Sequence, residues 1–329
     1  MRRQGRLYPG QSRTRAGASR DRRQGAGVRR EIVREGVIEI AIATFVSVAL
    51  LATMAASTVD ARDNAPKTQP WTLEDMPCPP MPVVSPARMA LIVEPKPHIA
   101  ETPPASESDR ASYMHWSKVD PEGVCRYRGE NRLLAAATDH RVIFIGDSIT
   151  ESWQPSIPSL FTGDVLDRGV SGQTTTQMLA RFRADVIDLD PAVVHIMGGI
   201  NDIARSTGTT LTRSNIESMV ELARARGITV ILGSVTPSSF FQGAPDMAPG
   251  PHIVWLNRWL RDYAENNDLI FVDYHHALED GQLGIKDGLS NDGLHPNRSG
   301  FEIMTPLARA AIDRALKSRT VRSSVSVGR

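Results

Sequence analysis

Polar residues suited to acyl transfer follow four of the chain's apolar runs. The four segments are GDSIT at 146–150, GVSGQTT at 169–175, GGIND at 198–202 and DGLHPN at 292–297. Ser148 offers a hydroxyl, and His295 offers a base that can take its proton. Asp292 lies three positions before this histidine, close enough in a tight turn to accept the other ring N–H and fix the tautomer. The sequence therefore predicts a serine nucleophile, a histidine base and an orienting acid.

The same segments supply hydrogen-bond donors for a negatively charged oxygen. Attack on a carbonyl creates an oxyanion, and losing one donor to it typically costs about 10²–10³ in rate. The predicted donors are the backbone N–H groups of Ser148 and Gly172 and the side-chain amide of Asn201. Plainer interpretations exist: Asp147 and Ser148 as helix caps, Gly172 as a loop glycine with positive φ, Asn201 as an Asx turn and His295 as a surface residue. Taken together, the segments favour catalysis.

Short apolar runs alternate with longer segments of helical period from residue 141 onward. The predicted strands are Val142–Ile145, Val165–Arg168, Val193–Met197, Val230–Gly233 and Ile270–Asp273. The predicted helices are Asn131–Ala137, Thr175–Leu189, Thr212–Arg226, Ile253–Asn266 and Gly300–Lys317. This alternation predicts an α/β fold, a three-layer α/β/α sandwich around five parallel strands. Because parallel strands end at one edge of a sheet, the four polar segments are expected to meet there.

On these four segments the chain resembles the SGNH, or GDSL-type, hydrolase superfamily, over about residues 141–317. The resemblance implies a flavodoxin-like sheet and hydrolysis of esters or thioesters, without a metal or other cofactor. It implies that Ser148 is the nucleophile, that His295 is the base and that Asp292 orients it. It assigns Ser148, Gly172 and Asn201 to the oxyanion hole. Residues 1–130 lie outside the resemblance.

Substrate contacts are expected from side chains at the same edge of the sheet. The long loop 236–251 carries Phe240 and Phe241, which are predicted to bind substrate together with Asp147 and Trp153 beside the nucleophile. An apolar rim with aromatic rings suits an acyl chain or a sugar ring. Two alternatives stay open: the loop aromatics anchor the loop to its own helix, and Trp153 packs beneath the pocket.

The first 61 residues have the composition of an export signal. Residues 1–36 contain eleven arginines and three acids, and Ile40–Ala56 contains no charge and is followed by small residues. This order is typical of a secretory signal, but the apolar run approaches the length of a membrane anchor. Cleavage of the signal and anchoring by residues 37–56 both stay open. Either outcome predicts an exported protein, periplasmic or secreted.

Proline and cysteine mark the region that follows. Residues 66–105 hold eleven of the 22 prolines, which predicts an extended chain without helices. Cys78 and Cys125 form one disulfide or remain free thiols, and their spacing alone does not decide between the two. The predicted organisation is a basic region with a signal or anchor at 1–61, a proline-rich linker or strap at 62–130, a hydrolase domain at 131–320 and a flexible tail at 321–329.

The charge of the chain beyond the basic block argues against nucleic-acid binding. Residues 37–329 carry 27 basic and 34 acidic residues, so neither nucleic acid nor a membrane is an expected partner, apart from the N-terminal apolar segment if it is retained. We therefore expect an exported serine esterase acting on a small-molecule, glycan or lipid ester, with small acyl groups such as carbohydrate acetyl groups preferred. A lysophospholipase or thioesterase with a longer acyl pocket is the alternative. A non-catalytic envelope-binding protein is a third.

Overall fold

The computed structural model describes Cys78 and residues 86–96, 106–134, 136, 138–241 and 246–327. Within these residues, three helices precede the sheet: α1 (Pro86–Val93), α2 (Glu107–Val119) and α3 (Arg128–Leu133). The elements that follow are β1 (Val142–Gly146), α4 (Ser148–Ser156), β2 (Val165–Gly169), α5 (Thr175–Asp185), a 3₁₀ turn (Ile187–Leu189), β3 (Val193–Met197), α6 (Ile200–Ala204), α7 (Thr209–Ala225), β4 (Thr229–Gly233), α8 (Gly250–Asn266), β5 (Ile270–Val272), α9 (Tyr274–Leu278) and α10 (Arg298–Val327).

The strands form one parallel sheet in the order β2-β1-β3-β4-β5. The central strands β1 and β3 read VIFIG and VVHIM, and every residue of both is buried. Near-continuous apolar runs of this kind belong to strands that are covered on both faces. Helices α4 and α10 contact each other on one face, and α5 and α7 contact each other on the other. The predicted three-layer α/β/α sandwich with five parallel strands is confirmed.

The strand order places a topological switch point between β1 and β3. The chain leaves β1 for β2 on one side and later returns to β3 on the other. In open parallel sheets the crevice at such a point, outside the carboxyl ends of the strands, is where ligands bind. The segments after β1 and β3, which begin with Asp147 and Gly198, are therefore brought to the same crevice.

Several helix boundaries differ from those that the sequence pattern indicates. The predicted helix Thr175–Leu189 ends at Asp185 and continues as a 3₁₀ turn. The predicted helix Asn131–Ala137 lies earlier, at Arg128–Leu133. Helix α10 continues to Val327, so most of the tail expected at 321–329 is helical.

The proline-rich region is not uniformly extended, and that expectation is wrong for residues 86–93. Helix α1 begins at Pro86, and the next proline is Pro95, beyond its end. Proline is tolerated in the first turn of a helix because the N–H it lacks has no partner there. Pro86 and Pro95 therefore lie at the start of the helix and beyond its end. Their positions are compatible with a helix, whereas the proline content of the region alone does not indicate one.

Helix α1 is fastened to the body by one buried side chain. The amide nitrogen of Asn291 donates to the carbonyl oxygens of Leu91 (2.9 Å) and Glu94 (2.7 Å), and its amide oxygen accepts the Lys96 N–H at 3.1 Å. These contacts satisfy carbonyls that a helix C-terminus leaves without partners. Because Asn291 directly precedes Asp292, α1 packs against the loop that carries the predicted acid and base.

Cys78 and Cys125 form a disulfide, with 5.5 Å between their Cα atoms. The bridged alternative of the two that the spacing left open is therefore confirmed. The basic block and the apolar run Ile40–Ala56 lie outside the described residues, so the signal or anchor stays a prediction. None of the helices in the described part of the chain combines the length and the apolar composition that a membrane span needs.

Candidate active site

The GDS turn presents Ser148 at the carboxyl end of β1. Asp147 caps helix α4, with its carboxylate accepting the Ile149 N–H at 3.0 Å, and Ser148 is the first residue of that helix. A Cβ at Gly146 would lie 2.0 Å from Thr150 Oγ1 and 2.6 Å from the Met197 carbonyl oxygen, so glycine is required there. The capping interpretation is therefore right for Asp147, and the cap holds the neighbouring serine at the crevice.

Ser148, His295 and Asp292 form a continuous chain of hydrogen bonds. The serine Oγ lies 2.9 Å from His295 Nε2, and His295 Nδ1 lies 2.7 Å from Asp292 Oδ2. A carboxylate can only accept a hydrogen bond, so it holds a proton on Nδ1 and leaves Nε2 to accept the serine proton. The arrangement can remove a proton from the hydroxyl during attack on a carbonyl.

The loop that carries the histidine is fixed by hydrogen bonds to its own backbone. Asp292 Oδ1 accepts the N–H groups of Leu294 (2.9 Å) and His295 (2.8 Å). The Ser290 hydroxyl oxygen accepts the Gly293 N–H at 2.9 Å, and Gly293 has a φ of +78°, which favours glycine. The carboxylate therefore orients the imidazole ring and shapes the turn at the same time.

The charges of this group shift its titration. Burial opposes ionisation of Asp292, but the charge and hydrogen bonds of His295 outweigh it and hold the pKa of Asp292 well below its usual range. Burial also opposes protonation of His295, but the Asp292 carboxylate outweighs that effect, so the pKa of His295 is raised. Burial raises the pKa of Asp147 to about 6. A raised pKa makes the His295 Nε2 atom a stronger base.

The predicted oxyanion donors meet at the same edge of the sheet. Gly172 has a φ of +77°, so its peptide adopts a conformation that glycine alone reaches without strain. The Asn201 amide donates to the Gln173 carbonyl oxygen at 3.0 Å, which ties α6 to the loop containing Gly172. An amide carries two hydrogens, so one remains for a further acceptor. The side-chain nitrogen of Asn201 is therefore a hydrogen-bond donor at this edge of the sheet.

Comparison with known proteins identifies the family of this chain. The family model of the GDSL-like lipase/acylhydrolase family matches residues 144–303. A GDSL-like lipase of known structure from Bacteroides thetaiotaomicron is 39% identical, with 59% of this chain and 98% of that chain covered and a TM-score of 0.57. The chain belongs to the SGNH/GDSL hydrolase superfamily. It is thereby assigned to the GDSL-type serine ester hydrolases.

Two curated relatives extend the comparison. An acetylxylan esterase from Geobacillus stearothermophilus is 26% identical over 209 residues, which cover 54% of this chain and 94% of that esterase. An uncharacterised lipoprotein from Bacillus subtilis is 30% identical over 154 residues, which cover 40% of this chain. The matched region spans 63% of that lipoprotein, less than two thirds of its length.

In this GDSL hydrolase Asp202 connects the segment that contains Gly172 to the segment that contains Asn201, a role that the sequence analysis did not assign. Its carboxylate is buried and accepts the Thr175 N–H (2.8 Å) and hydroxyl (2.6 Å) and the Thr212 hydroxyl (3.2 Å). These contacts tie the start of α5 to α6 and α7. The sequence could have indicated this role, because an acid directly follows Asn201 in the GGIND segment and no turn requires an acid at that position.

A buried arginine connects the same loop to the nucleophile turn. Arg181 is fully buried and donates to the Gly146 carbonyl oxygen at 2.9 Å and to Gln173 Oε1 at 2.6 Å. Its charge is balanced by Asp185, whose carboxylate lies 2.9 Å away and is also fully buried. A buried charge needs such a partner to offset its loss of hydration. The family segments alone did not indicate this residue.

Two of the predicted substrate-binding residues lie beneath the site and not on its surface, which corrects that expectation. Trp153 is 0% exposed, and its indole N–H donates to Thr305 Oγ1 at 3.0 Å. Asp147 is 1% exposed and caps α4. The alternative that Trp153 packs beneath the pocket is therefore the correct one, because the face of α4 that carries it points into the core.

The loop aromatics differ from each other in exposure. Phe241 is buried in the hydrophobic core, which corrects its predicted role in substrate binding. Phe240 is half-buried, and its carbonyl oxygen accepts the Ser238 hydroxyl at 2.7 Å. Only Phe240 of this pair therefore offers a substantial aromatic surface to a ligand.

Proposed function

We propose that the protein is an exported serine esterase that hydrolyses carboxylic esters of small acyl groups, with O-acetyl groups on carbohydrate as its substrate class. The observation that carries this proposal is the hydrogen-bond chain from Ser148 Oγ to His295 Nε2 (2.9 Å) and from Nδ1 to Asp292 Oδ2 (2.7 Å). A nucleophile, a base and an orienting acid within hydrogen-bond reach of one another are the parts that acyl transfer needs.

The first half-reaction forms an acyl-enzyme. Ser148 Oγ attacks the ester carbonyl carbon while His295 Nε2 takes the hydroxyl proton. The resulting oxyanion accepts hydrogen bonds from the backbone N–H groups of Ser148 and Gly172 and from the remaining amide hydrogen of Asn201. When the tetrahedral intermediate collapses, the C–O bond to the alcohol breaks and His295 returns the proton to the leaving oxygen.

The second half-reaction releases the acid. A water molecule gives a proton to His295 Nε2 and attacks the acyl carbon, and the same donors hold the second oxyanion. Collapse then breaks the bond to Ser148 Oγ, which recovers its proton from the imidazolium. Asp292 stays ionised throughout because its pKa is held far below neutrality by the charge and hydrogen bonds of His295.

Packing around the helix of the nucleophile supports a short acyl group. Trp153 lies five residues beyond Ser148 on α4 and stacks on Phe301 at 5.3 Å between ring centroids. It also meets the ring of Tyr274 edge-on at 5.5 Å, and all three rings are fully buried. A long acyl chain needs an apolar channel. This packing fills the space on the inner side of α4.

Carbohydrate as the carrier of the acyl group is supported by two observations. The acetylxylan esterase relative aligns over 94% of its own length. Phe240 is half-buried in the loop that follows β4, and an aromatic face of this kind can stack on a sugar ring.

Export is supported by the disulfide and by one relative. The Cys78–Cys125 bridge is of a kind that persists in oxidising compartments. The relative from Bacillus subtilis is named a lipoprotein. Mass spectrometry of the mature protein tests this proposal: we expect an N-terminus within or after the apolar run Ile40–Ala56, and recovery of Met1 would contradict cleavage.

The catalytic proposal is tested by hydrolysis of p-nitrophenyl acetate, butyrate and octanoate and by acetate release from peracetylated xylose. The wild type is compared with Ser148→Ala and with Ser159→Ala, which changes an exposed serine and serves as the matched control. We expect Ser159→Ala to match the wild type and Ser148→Ala to lose about 10⁴-fold or more of kcat, because the nucleophile is absent.

The outcomes separate the candidate functions. Preference for acetate, with acetate release from the sugar, supports the proposal. Preference for octanoate favours a lysophospholipase or thioesterase. Equal activity of Ser148→Ala and the wild type would refute the serine mechanism, and equal inactivity of both on every ester would favour a non-catalytic binding protein.

A further inference from the structure

The loop that carries Gly172 rests against a segment from outside the matched family domain. We call residues 120–127 the N-terminal buttress. It contacts residues 169–177, which comprise this loop and the first turn of α5, at both ends and in the middle. The contacts are Tyr127 Oη to the Gly169 carbonyl oxygen (2.5 Å), Gln173 Nε2 to the Glu122 carbonyl oxygen (2.8 Å) and Gln177 Nε2 to the Pro121 carbonyl oxygen (2.6 Å).

The N-terminal buttress is itself held in one conformation. The Asp120 carboxylate accepts the Val124 N–H at 2.9 Å and the Cys125 N–H at 2.8 Å. Cys125 is then bridged to Cys78. The buttress is therefore a rigid support, because its backbone is capped by an acid and cross-linked to a second segment.

Glu151 connects the buttress to the oxyanion loop. This residue lies three positions after Ser148, on the first turn of α4, and its Oε1 atom lies 2.9 Å from Arg126 Nη2. Its Oε2 atom accepts the Ser171 N–H at 2.8 Å and also the Ser171 hydroxyl. The two charged side chains are mostly buried, with exposures of 11% for Glu151 and 25% for Arg126.

We infer that Glu151, held by Arg126, is a positioning residue that fixes the Gly172 N–H in the oxyanion hole, an inference that rests on the proposed function. Ser171 directly precedes Gly172, so the hydrogen bonds from Glu151 set the approach of the peptide that donates to the oxyanion. Hydrogen bonds to an ionised acceptor are about twice as strong as neutral ones. They hold a loop whose glycine is free to adopt other conformations.

Arg126 has a second effect through its charge. A carboxylate that accepts the N–H of Ser171, the residue before the oxyanion donor Gly172, would repel the negative charge that develops in the transition state. The guanidinium at 2.9 Å offsets that repulsion while it orients the carboxylate. The same ion pair therefore allows an acid to brace the oxyanion loop without weakening the hole.

The test measures kcat and KM for p-nitrophenyl acetate in Glu151→Ala, Glu151→Gln, Arg126→Gln and the double variant Arg126→Gln/Glu151→Gln. Asn201→Ala is the reference for loss of a donor, which typically lowers kcat about 10²–10³-fold. We expect Glu151→Ala to lower kcat about 10–100-fold with KM changed less than about twofold, because the donor is displaced but not removed.

The double variant distinguishes positioning from a general loss of packing. Once the arginine charge is absent, a glutamine at 151 can still accept the Ser171 N–H through its amide oxygen. We therefore expect Glu151→Gln to be less damaging in the Arg126→Gln background than alone, a coupling that additive packing losses do not produce. The pH at which kcat/KM falls on the acid side, which reports His295, is expected to stay unchanged.

Asp164→Asn is the matched control, because it breaks an ion pair of equal length, Arg141–Asp164 at 2.9 Å, at the opposite edge of the sheet. We expect it to change the melting temperature and not kcat. The inference is overturned, and the proposed function stands, if Glu151→Ala and Arg126→Gln keep kcat within about threefold of the wild type while Asn201→Ala lowers kcat about 10²–10³-fold. If Asn201→Ala and Ser148→Ala both keep activity, the proposed function fails. Arg126→Gln alters a partly exposed side chain and carries the test if Glu151→Ala does not fold.

Discussion

Replacing Asp292 by asparagine isolates the role of the imidazole tautomer. The Oδ1 atom accepts the N–H groups of Leu294 and His295, so the amide oxygen of an asparagine is retained at that position. The amide nitrogen then faces His295 Nδ1, at the place where Oδ2 now lies 2.7 Å away. An NH₂ group cannot accept the ring N–H, so Nδ1 becomes the acceptor and Nε2 carries the proton towards Ser148.

A protonated Nε2 cannot take the serine proton, and we expect Asp292→Asn to lower kcat about 10⁴-fold, as wrong-tautomer substitutions do. At 1.36 kcal/mol for each tenfold change, this corresponds to about 5 kcal/mol of lost transition-state stabilisation. The loss of the carboxylate also removes the charge that raises the pKa of His295, so the acid limb of the pH profile is expected to move to lower pH.

The assay is kcat/KM for p-nitrophenyl acetate between about pH 4 and pH 10, the range that covers an ordinary histidine titration. Asp287→Asn changes an exposed acid on the same loop and serves as the control, with unchanged kinetics expected. A variant Asp292→Asn that keeps more than about a tenth of the wild-type kcat/KM would refute the tautomer reasoning. An acid limb that does not move would refute the charge reasoning.

Two further predictions concern stability. Burial raises the pKa of Asp147 to about 6, whereas in the unfolded chain the same carboxyl ionises near pH 4. Above pH 6 the native state must hold a buried carboxylate, which lowers the free energy of unfolding by roughly 3 kcal/mol. Because asparagine can cap α4 equally well, Asp147→Asn is expected to be more stable than the wild type in urea at pH 8. The stabilities of the two proteins are expected to converge below about pH 4. Equal stability at pH 8 would contradict this prediction. The disulfide closes a separation of 47 residues, and its reduction is expected to lower the free energy of unfolding by about 4 kcal/mol; identical urea midpoints with and without reductant would contradict that value.

The sheet could be predicted in detail because its central strands leave little choice. VVHIM at 193–197 is apolar except for His195 and lies between Pro191 and Gly198, so its limits are those of the strand. The crevice follows from the same reasoning, since parallel strands bring their carboxyl ends together. The structure accordingly brings Ser148, His295 and Asp292 into one hydrogen-bond chain.

The supports around the site could not be predicted, because they pair residues without any periodic relation. Glu151 and Arg126 are 25 positions apart, in segments whose mutual placement no local pattern encodes. The misplacement of Trp153 has another cause. An aromatic residue on a short helix beside a nucleophile fits a pocket or a core equally well, and only the packing of α10, which carries Thr305, decides.

The sequence separation of the residues that meet at the crevice determines when activity can appear. Ser148 and His295 are 147 positions apart, and Asn291 is 200 positions from Leu91. Contacts between such distant positions form late in folding, since the loop must close before they contribute. While the polypeptide emerges from the ribosome, the hydroxyl of Ser148 has no base and is an ordinary alcohol. The proposed serine mechanism therefore requires the loop of Asp292 and His295 to have docked beside Ser148 before ester hydrolysis can begin.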